Sequence, residues 1–284
     1  MNGATTGVPS GAALTTRQVN GVSYRIRDVG RGPALVLLHG FTGSLHTWDP
    51  FVPEWAQAWR VIAVDLLGHG GTDAPDDPER YRMERCVADL VALLDTLGVR
   101  RAHVLGYSMG GRVALHLAAA APERVAALAL ESASPGIADA GERAARVKAD
   151  EELADAIERD GVAAFVRRWE RLPLFAGQRR LPESTRAALR EQRLSNRALG
   201  LANSLRGMGA GAQPPLHHRL PELAMPSLLM AGEEDEKYVR IVRDMAAVMP
   251  KARAVIVPGA GHTVHLERPE SFRALVLEFL RSHR

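Results

Sequence analysis

Cysteine, lysine and long apolar runs are scarce in this 284-residue sequence. The single cysteine, Cys86, excludes an intrachain disulfide and a cysteine-rich zinc site, and it fits a reducing compartment. The longest apolar runs, at 34–38 and 125–130, are too short to cross a bilayer, which takes about 20 residues. Hydrophobic residues make up 46% of the chain and charged residues 24%, which excludes a disordered or collagen-like protein.

The first 16 residues are rich in glycine, alanine and threonine, and they contain neither a basic segment nor an apolar core. A secretory signal peptide has both features. Residues 1–16 are therefore predicted to form a flexible tail. Together with the single cysteine, this composition favours a cytoplasmic protein without membrane contact.

Basic residues exceed acidic ones by three, and only three of the 36 basic residues are lysines. The excess lies between residues 136 and 219, which contain 15 basic and 11 acidic residues. The two signs are interleaved there, without the aromatic residues that stack on bases, so nucleic-acid binding is not expected. Such a surface favours an anionic small molecule instead.

Short apolar runs alternate with helical patterns, which predicts an α/β fold with a mainly parallel sheet. Asn20-Gly21 is a strong hairpin signal between strands at 17–19 and 22–28. Six further runs have the composition of buried parallel strands: 34–38, 61–64, 103–105, 125–130, 227–231 and 254–257. The helices predicted between them are 83–97, 108–121, 238–249 and 269–280.

The alternation stops between residues 136 and 220, where no strand-like run occurs. This stretch is predicted to form several helices, at 140–159, 161–169, 182–192 and 195–208, followed by a loop rich in glycine and proline. We therefore expect an α/β core made of residues 17–135 and 221–284. Residues 136–220 are predicted to form a helical lid inserted between two strands.

A G-x-S-x-G motif, from Gly106 to Gly110, lies between a predicted strand and a predicted helix. Its glycines permit a sharp turn that holds Ser108 in a strained conformation, with its hydroxyl above the sheet edge. A serine alone is a poor nucleophile or base, and it needs a histidine that a carboxylate orients. The motif in this context predicts a catalytic serine.

Asp235 and His262 follow Ser108 in the order serine, acid, histidine that such sites use. Each follows a predicted strand, so all three are expected at the carboxyl edge of the sheet, where open α/β sheets place their sites. We favour His262 over His265 because it directly follows a glycine-rich turn. Three other carboxylates are alternatives to Asp235: Glu131, Glu233 and Glu234.

The backbone N–H groups of Phe41 and Met109 are expected to form an oxyanion hole. Met109 follows the serine, and Phe41 follows the His-Gly pair at 39–40; the Phe41 ring suits a pocket wall equally well. The loop at 65–70 is expected on the same rim, and we interpret His69 there as structural. Neither a metal nor a cofactor is expected.

Four motifs carry a resemblance to a known superfamily: HGF at 39–41, DLLGHGGT at 65–72, GYSMGG at 106–111 and AGH at 260–262. They resemble the α/β-hydrolase superfamily over essentially the whole chain after the tail. The resemblance implies an α/β-hydrolase fold with a Ser–Asp–His triad. Because Ser108 occupies the nucleophile position, epoxide and haloalkane hydrolases, whose nucleophile is aspartate, are disfavoured.

The lid and its surroundings contain more specific motifs: GYSMGGRVAL from 106, SPG at 134–136, ER-x-x-R at 142–146, W-x-x-x-PLFA at 169–176, QR-x-SN at 192–196, LANSLRGMGAGAQPPL at 201–216 and GEEDEKY at 232–238. Together they resemble the 2-succinyl-6-hydroxy-2,4-cyclohexadiene-1-carboxylate synthases of menaquinone biosynthesis. The resemblance implies a lyase that eliminates pyruvate from 2-succinyl-5-enolpyruvyl-6-hydroxy-3-cyclohexene-1-carboxylate. It implies proton abstraction through Ser108, with no acyl-enzyme.

The substrate of that family bears three carboxylates, which planar guanidinium groups bind well. The resemblance places the carboxylate-binding arginines at Arg146 and Arg193 and the pocket tryptophan at Trp169. Tyr107, beside the nucleophile, and Arg112, in the helix behind it, also match the family's binding residues, although Arg112 also suits a purely structural role. We expect the lid arginines to be solvated and to bind a small polycarboxylate rather than to hold the lid together.

Three other functions remain open from the residues alone. A carbon–carbon bond hydrolase of ring-cleavage products would use the same triad, and so would a carboxylesterase or lactonase. A ligand-sensing protein would keep the triad and act through a partner surface, of which the sequence gives no distinctive sign. The protein is expected to act as a monomer or a small homo-oligomer.

Overall fold

The computed structural model describes residues 14–284, and within them eight strands form one sheet. The strands are β1 (Leu14–Val19), β2 (Val22–Val29), β3 (Ala34–Leu38), β4 (Arg60–Val64), β5 (Ala102–Tyr107), β6 (Val125–Glu131), β7 (Ser227–Gly232) and β8 (Ala252–Val257). Their spatial order is β1-β2-β4-β3-β5-β6-β7-β8. The strand pairs β1–β2 and β2–β4 are antiparallel, and the other five neighbouring pairs are parallel. This mainly parallel sheet confirms the predicted α/β fold.

The hairpin predicted between the first two strands is present. Asn20 and Gly21 have φ values of 48° and 79°, the left-handed conformation that a two-residue hairpin turn requires. The strand begins at Leu14, so the prediction of a tail is wrong for residues 14–16. β1 is an edge strand with alternately exposed residues, and it therefore has no apolar run to mark its start. Residues 1–13 of the predicted tail lie outside the described residues.

Within residues 14–284 the α-helices are α1 (Val52–Trp55), α2 (Met83–Thr96), α3 (Met109–Ala120), α4 (Ala140–Trp169), α5 (Glu183–Leu194), α6 (Ala198–Met208), α7 (Glu236–Val248), α8 (Val264–Glu267) and α9 (Pro269–Ser282). Several of them cover the two faces of the sheet. Apolar residues of α2, α3 and α7 pack on one face, and those of α1 and α9 pack on the other. In the part of the chain that the structure describes, none of these helices is long and apolar enough to cross a membrane.

The described chain between β6 and β7 contains helices and no strand. We call residues 136–220 the lid. α4 combines two of the predicted helices and bends at Gly161, whose φ of 79° interrupts the helical geometry. Two 3-10 helices that the sequence did not reveal, Pro173–Arg180 and His217–Glu222, complete the segment. α4 and α6 share an apolar cluster formed by Ala154, Ile157, Phe165, Val166, Leu201, Ala202 and Leu205.

Candidate active site

Ser108 occupies the sharp turn between β5 and α3. Its φ of 49° and ψ of −107° depart from the conformations that residues with side chains normally adopt, as the motif predicts. A Cβ atom at Gly106 would collide with the backbone of Gly110, so the turn closes this tightly only with glycine. The turn leaves the Ser108 side chain at the carboxyl edge of the sheet, facing a cavity.

His262 and Asp235 lie beside this serine. The Nε2 atom of His262 is 3.2 Å from the Ser108 hydroxyl, and its Nδ1 is 2.6 Å from Oδ2 of Asp235. The second carboxylate oxygen of Asp235 accepts the backbone N–H of Tyr238 at 3.4 Å and so caps α7. With Nδ1–H donated to the carboxylate, Nε2 is free to accept the serine proton. The structure therefore brings together the three residues that the sequence predicted.

The alternative residues have other partners. Glu131 accepts hydrogen bonds from His265, with 2.9 Å between its carboxylate and the imidazole Nδ1. Glu233 accepts the backbone N–H of Gly259 at 3.0 Å, and Glu234 accepts Nη2 of Arg180 at 2.7 Å. The position beside the His262 imidazole is taken by Asp235.

The two predicted oxyanion donors border the same cavity as the serine. Within residues 14–284 no protein acceptor takes up the backbone N–H of Phe41 or of Met109. Met109 is the first residue of α3, where the helix dipole favours negative charge. The loop that carries Phe41 is fixed by His39, which donates Nδ1–H to the Gly40 carbonyl at 2.8 Å and accepts the Leu66 amide on Nε2 at 3.0 Å. Burial lowers the pKa of His39, which keeps its imidazole neutral for both bonds.

A cavity of about 210 Å³ separates the serine from the lid. Its apolar wall is formed by Phe41, Trp169 and Phe175. The Trp169 ring lies between the other two, with 5.4 Å from its centroid to that of Phe41 and 5.4 Å to that of Phe175. Tyr107 borders the cavity from the sheet side, and burial raises the pKa of its hydroxyl well above the ordinary value. The Tyr107 hydroxyl is therefore a neutral hydrogen-bonding group at neutral pH.

Arg112 and Arg146 border one region of the cavity and influence each other electrostatically. Arg112 is buried on α3 and donates to the Met208 carbonyl at 2.8 Å and to the Gln213 side chain at 3.1 Å, and no carboxylate within residues 14–284 pairs with it. Burial lowers its pKa to about 10. The Arg146 side chain is 43% exposed and bonds to Asp150 at 2.8 Å. Both guanidinium groups therefore have donors left for a ligand.

Arg193 also borders the cavity, and its side chain is only 6% exposed. It donates to Glu170 at 3.2 Å and to Gln178 at 2.9 Å, and it lies over the Phe175 ring at 5.4 Å. Burial lowers its pKa, and the nearby Glu170 opposes that effect. The expectation of a solvated arginine is therefore wrong for Arg193, because the lid folds its own carboxylate against the guanidinium.

The sequence interpretation missed several polar residues of the cavity wall, among them Gln178, Lys237 and Tyr238. The Tyr238 ring packs against the His262 imidazole, with 4.8 Å between centroids. Lys237 and Tyr238 lie within three residues of the acid, Asp235, and this nearness in sequence was a signal for finding them. Gln178 lies in an irregular 3-10 stretch, where no sequence pattern distinguished it. Among the described residues, no group of three His, Cys, Asp or Glu side chains is placed to hold a metal ion.

Residues 33–269 match the family model described as the alpha/beta hydrolase fold. A Bacillus subtilis protein, named provisionally as a 2-succinyl-6-hydroxy-2,4-cyclohexadiene-1-carboxylate synthase, is 48% identical over 265 residues, which cover 93% of this chain and 96% of that protein. The synthase of the same name from Serratia proteamaculans is 33% identical and covers 87% of this chain and 93% of its own. The structure of MenH from S. aureus matches with a TM-score of 0.87 at 35% identity, over 92% of this chain and 98% of that one.

Proposed function

Because the chain belongs to the α/β-hydrolase fold family, and within it to the 2-succinyl-6-hydroxy-2,4-cyclohexadiene-1-carboxylate synthases, we propose that it is a lyase that forms this product. The substrate would be 2-succinyl-5-enolpyruvyl-6-hydroxy-3-cyclohexene-1-carboxylate, from which pyruvate is eliminated. The observation that carries the proposal is a Ser–His–Asp arrangement at a cavity that three arginines border, Arg112, Arg146 and Arg193.

In the proposed mechanism Ser108 is the base and His262 takes up its proton. The serine oxygen removes the ring proton next to the succinyl ketone. The electron pair moves through the ring double bond, and the carbon–oxygen bond to the enolpyruvyl group breaks. That group leaves as the enolate of pyruvate, and its methylene carbon then takes up the proton held by His262, which gives pyruvate and restores the neutral imidazole. Asp235 holds the imidazole in the required tautomer and stabilises its charged form.

The ketone oxygen becomes an enolate while the ring proton is lost. The backbone N–H groups of Phe41 and Met109 are proposed to hold it, as oxyanion donors do in acyl transfer. Their lack of a protein acceptor within residues 14–284 supports this role, since the donors need not be released from other bonds first. An oxyanion hole that stabilises an enolate removes the need for a covalent intermediate.

The carboxylates of the substrate are proposed to bind the guanidinium groups of Arg112, Arg146 and Arg193. Trp169 would form the wall against the ring, and Tyr107 would donate a hydrogen bond next to the serine. Three arginines on one cavity wall support a substrate with several carboxylates, because planar guanidinium groups bind carboxylates well. We further propose that the protein works in the cytoplasm as a monomer or small homo-oligomer, without nucleic acid, and that residues 136–220 act as the lid over the core.

Release of pyruvate from the enolpyruvyl compound, coupled to lactate dehydrogenase, tests the proposed reaction. The wild-type protein should release pyruvate and should hydrolyse p-nitrophenyl acetate only poorly, whereas an esterase would show the opposite preference. Ser108→Ala is the control for uncatalysed elimination. Rapid hydrolysis of the ester without pyruvate release would refute the proposal.

Intact-mass spectrometry of samples quenched with acid during turnover tests the role of the serine. If Ser108 acts as a base, the mass of the protein should stay that of the free enzyme. A mass increase located on Ser108 would show a covalent intermediate and favour hydrolase chemistry.

A further inference from the structure

A second carboxylate–imidazole pair lies beside the proposed triad and shares none of its side-chain hydrogen bonds, although its histidine borders the same cavity. Glu131, at the end of β6, accepts the Nδ1–H and the backbone N–H of His265, at 2.9 and 3.1 Å. The side chains of Glu131 and His265 are 0% and 2% exposed. Apolar residues of similar volume commonly stabilise a core at least as well as a buried ionic pair. The stability of the fold therefore does not by itself account for these residues.

The two partners belong to the segments that carry the proposed base. The Glu131 carbonyl accepts the backbone N–H of Ser108 at 2.8 Å, and Glu131 lies opposite Tyr107 in the register of β5 and β6. His265 lies in α8, three residues after His262. The bond between the two side chains therefore connects the strand next to the serine with the segment of the catalytic histidine.

We propose that Glu131 is a positioning residue that acts through His265 to hold His262 at hydrogen-bond distance from Ser108. Ser108 and His262 are 154 residues apart in the chain, and their side chains meet at 3.2 Å. Proton transfer depends steeply on this separation, and a displacement of about 1 Å costs about a hundredfold in rate. The inference deepens the proposed function, since it rests on the same serine and histidine.

Glu267, a second buried carboxylate near His262, differs from Glu131 in the residues that it connects. Glu267 accepts the Gly261 N–H at 2.9 Å and the Thr263 hydroxyl at 2.8 Å. These three residues belong to one short stretch of chain, so the bonds shape the His262 segment internally. The bond between Glu131 and His265 instead joins that stretch to a strand of the central sheet, which is a rigid reference for the serine.

The test is the rate at which a fluorophosphonate labels Ser108, measured by intact mass, because labelling reports the reactivity of the serine whatever the natural substrate is. We expect Glu131→Gln to label about ten- to a hundredfold more slowly, since the amide NH2 would replace an oxygen that lies 2.9 Å from Nδ1 of His265 and would set donor against donor. His265→Ala should slow labelling similarly. His265→Gln keeps an N–H donor and should recover part of the rate. With the enolpyruvyl substrate, kcat should fall while KM hardly changes.

Asp89→Asn provides the matched control. Asp89 is a buried carboxylate on α2 that accepts hydrogen bonds from Tyr24 at 2.5 Å and from Arg80 at 2.8 Å, and none of these residues borders the cavity. This variant should lose stability, as a disrupted buried network does, and should still label at the wild-type rate. Circular dichroism gives the folded fraction to which every rate is normalised.

Two outcomes overturn the positioning role. One is labelling of the Glu131 and His265 variants at the wild-type rate per folded molecule. The other is a decrease in their labelling rate that is no larger than the decrease measured for Asp89→Asn. If Glu131→Gln does not fold, the two His265 variants decide the question by the same criterion. Slow labelling of the variants, combined with no pyruvate release by the wild-type protein, would support the positioning role and refute the proposed reaction.

Discussion

Nη1 of Arg193 lies 3.2 Å from Oε1 of Glu170, so an arginine proposed to bind substrate already holds a carboxylate of the lid. Glu170 also accepts hydrogen bonds from Arg190. Burial raises the pKa of Glu170, but the hydrogen bonds from Arg190 and Arg193 outweigh it and leave the pKa lowered. The carboxylate is therefore ionised at neutral pH. Arg193 joins α5 to the end of α4 and also borders the cavity, and it should contribute both to folding and to binding.

We predict that Arg193→Ala lowers both kcat/KM and the melting temperature. Loss of a charge-assisted bond to substrate, worth roughly 1.5–3 kcal/mol, should reduce kcat/KM about ten- to a hundredfold. Loss of the pair with Glu170 should lower the melting temperature by a few degrees. Arg190→Ala is the matched control, because Arg190 bonds to the same carboxylate and does not border the cavity. An unchanged kcat/KM per folded molecule in Arg193→Ala would make Arg193 purely structural.

Arg146→Ala should separate binding from stability. Its side chain is 43% exposed, and Asp150 also accepts the Gly211 N–H, so the variant should lose less stability than Arg193→Ala. We expect kcat/KM to fall about ten- to a hundredfold and Arg146→Lys to recover only part, because lysine lacks the planar fork. Added salt should lower the wild-type kcat/KM by screening an anionic substrate. Lys148→Ala, another exposed change on α4, should leave kinetics unchanged, and equal losses in both variants would contradict a specific role.

The triad residues should be far more sensitive than their neighbours. We predict that Ser108→Ala, Asp235→Asn and His262→Ala each lower kcat by at least about a hundredfold, because the three act as one unit. Circular dichroism should show an intact fold in each. Asp235→Asn should cost more than Glu131→Gln, since Asp235 contacts the catalytic imidazole directly. A nearly wild-type Asp235→Asn beside an inactive Glu131→Gln would reassign the catalytic acid.

The sequence predicted those features that depend on local patterns. Buried parallel strands are continuous apolar runs, so β3 was predicted with its observed ends, from Ala34 to Leu38. The strained turn at Ser108 follows from glycines at fixed offsets, and it was predicted for the same reason. The approach of Asp235 and His262 followed from their places after parallel strands, whose carboxyl ends meet at one edge.

The features that escaped prediction depend on contacts between polar side chains distant in the chain. The burial of Arg193 arises from Glu170, 23 residues away, and from the cavity wall around Phe175. The bond between Glu131 and His265 joins residues 134 positions apart, so two rejected alternatives proved to be partners of each other. No periodicity in a single segment reports such pairings, because each side chain is buried by an element elsewhere in the chain.

Stability in acid should depend on His69. Its imidazole is buried and donates Nδ1–H to the Leu67 carbonyl at 3.0 Å. Burial, and next the nearby His39, lower its pKa from 6.5 to about 3. Between these two values the unfolded chain binds a proton at this position and the folded chain does not. The contribution of His69 to the free energy of unfolding is therefore full above about pH 6.5 and is lost as the pH falls toward about 3.

Replacing His69 with glutamine should remove this part of the pH dependence, because glutamine can donate the same hydrogen bond and does not titrate. At pH 4.5 the wild-type protein should have lost about 2–3 kcal/mol through this residue relative to pH 7. Urea unfolding at both pH values should show a correspondingly smaller loss in His69→Gln, while carboxylates affect both proteins alike. His218→Gln, at an exposed histidine, should keep the wild-type dependence. If the free energy of unfolding fell equally in His69→Gln and the wild type between pH 7 and pH 4.5, His69 would already be protonated in the folded protein at pH 4.5.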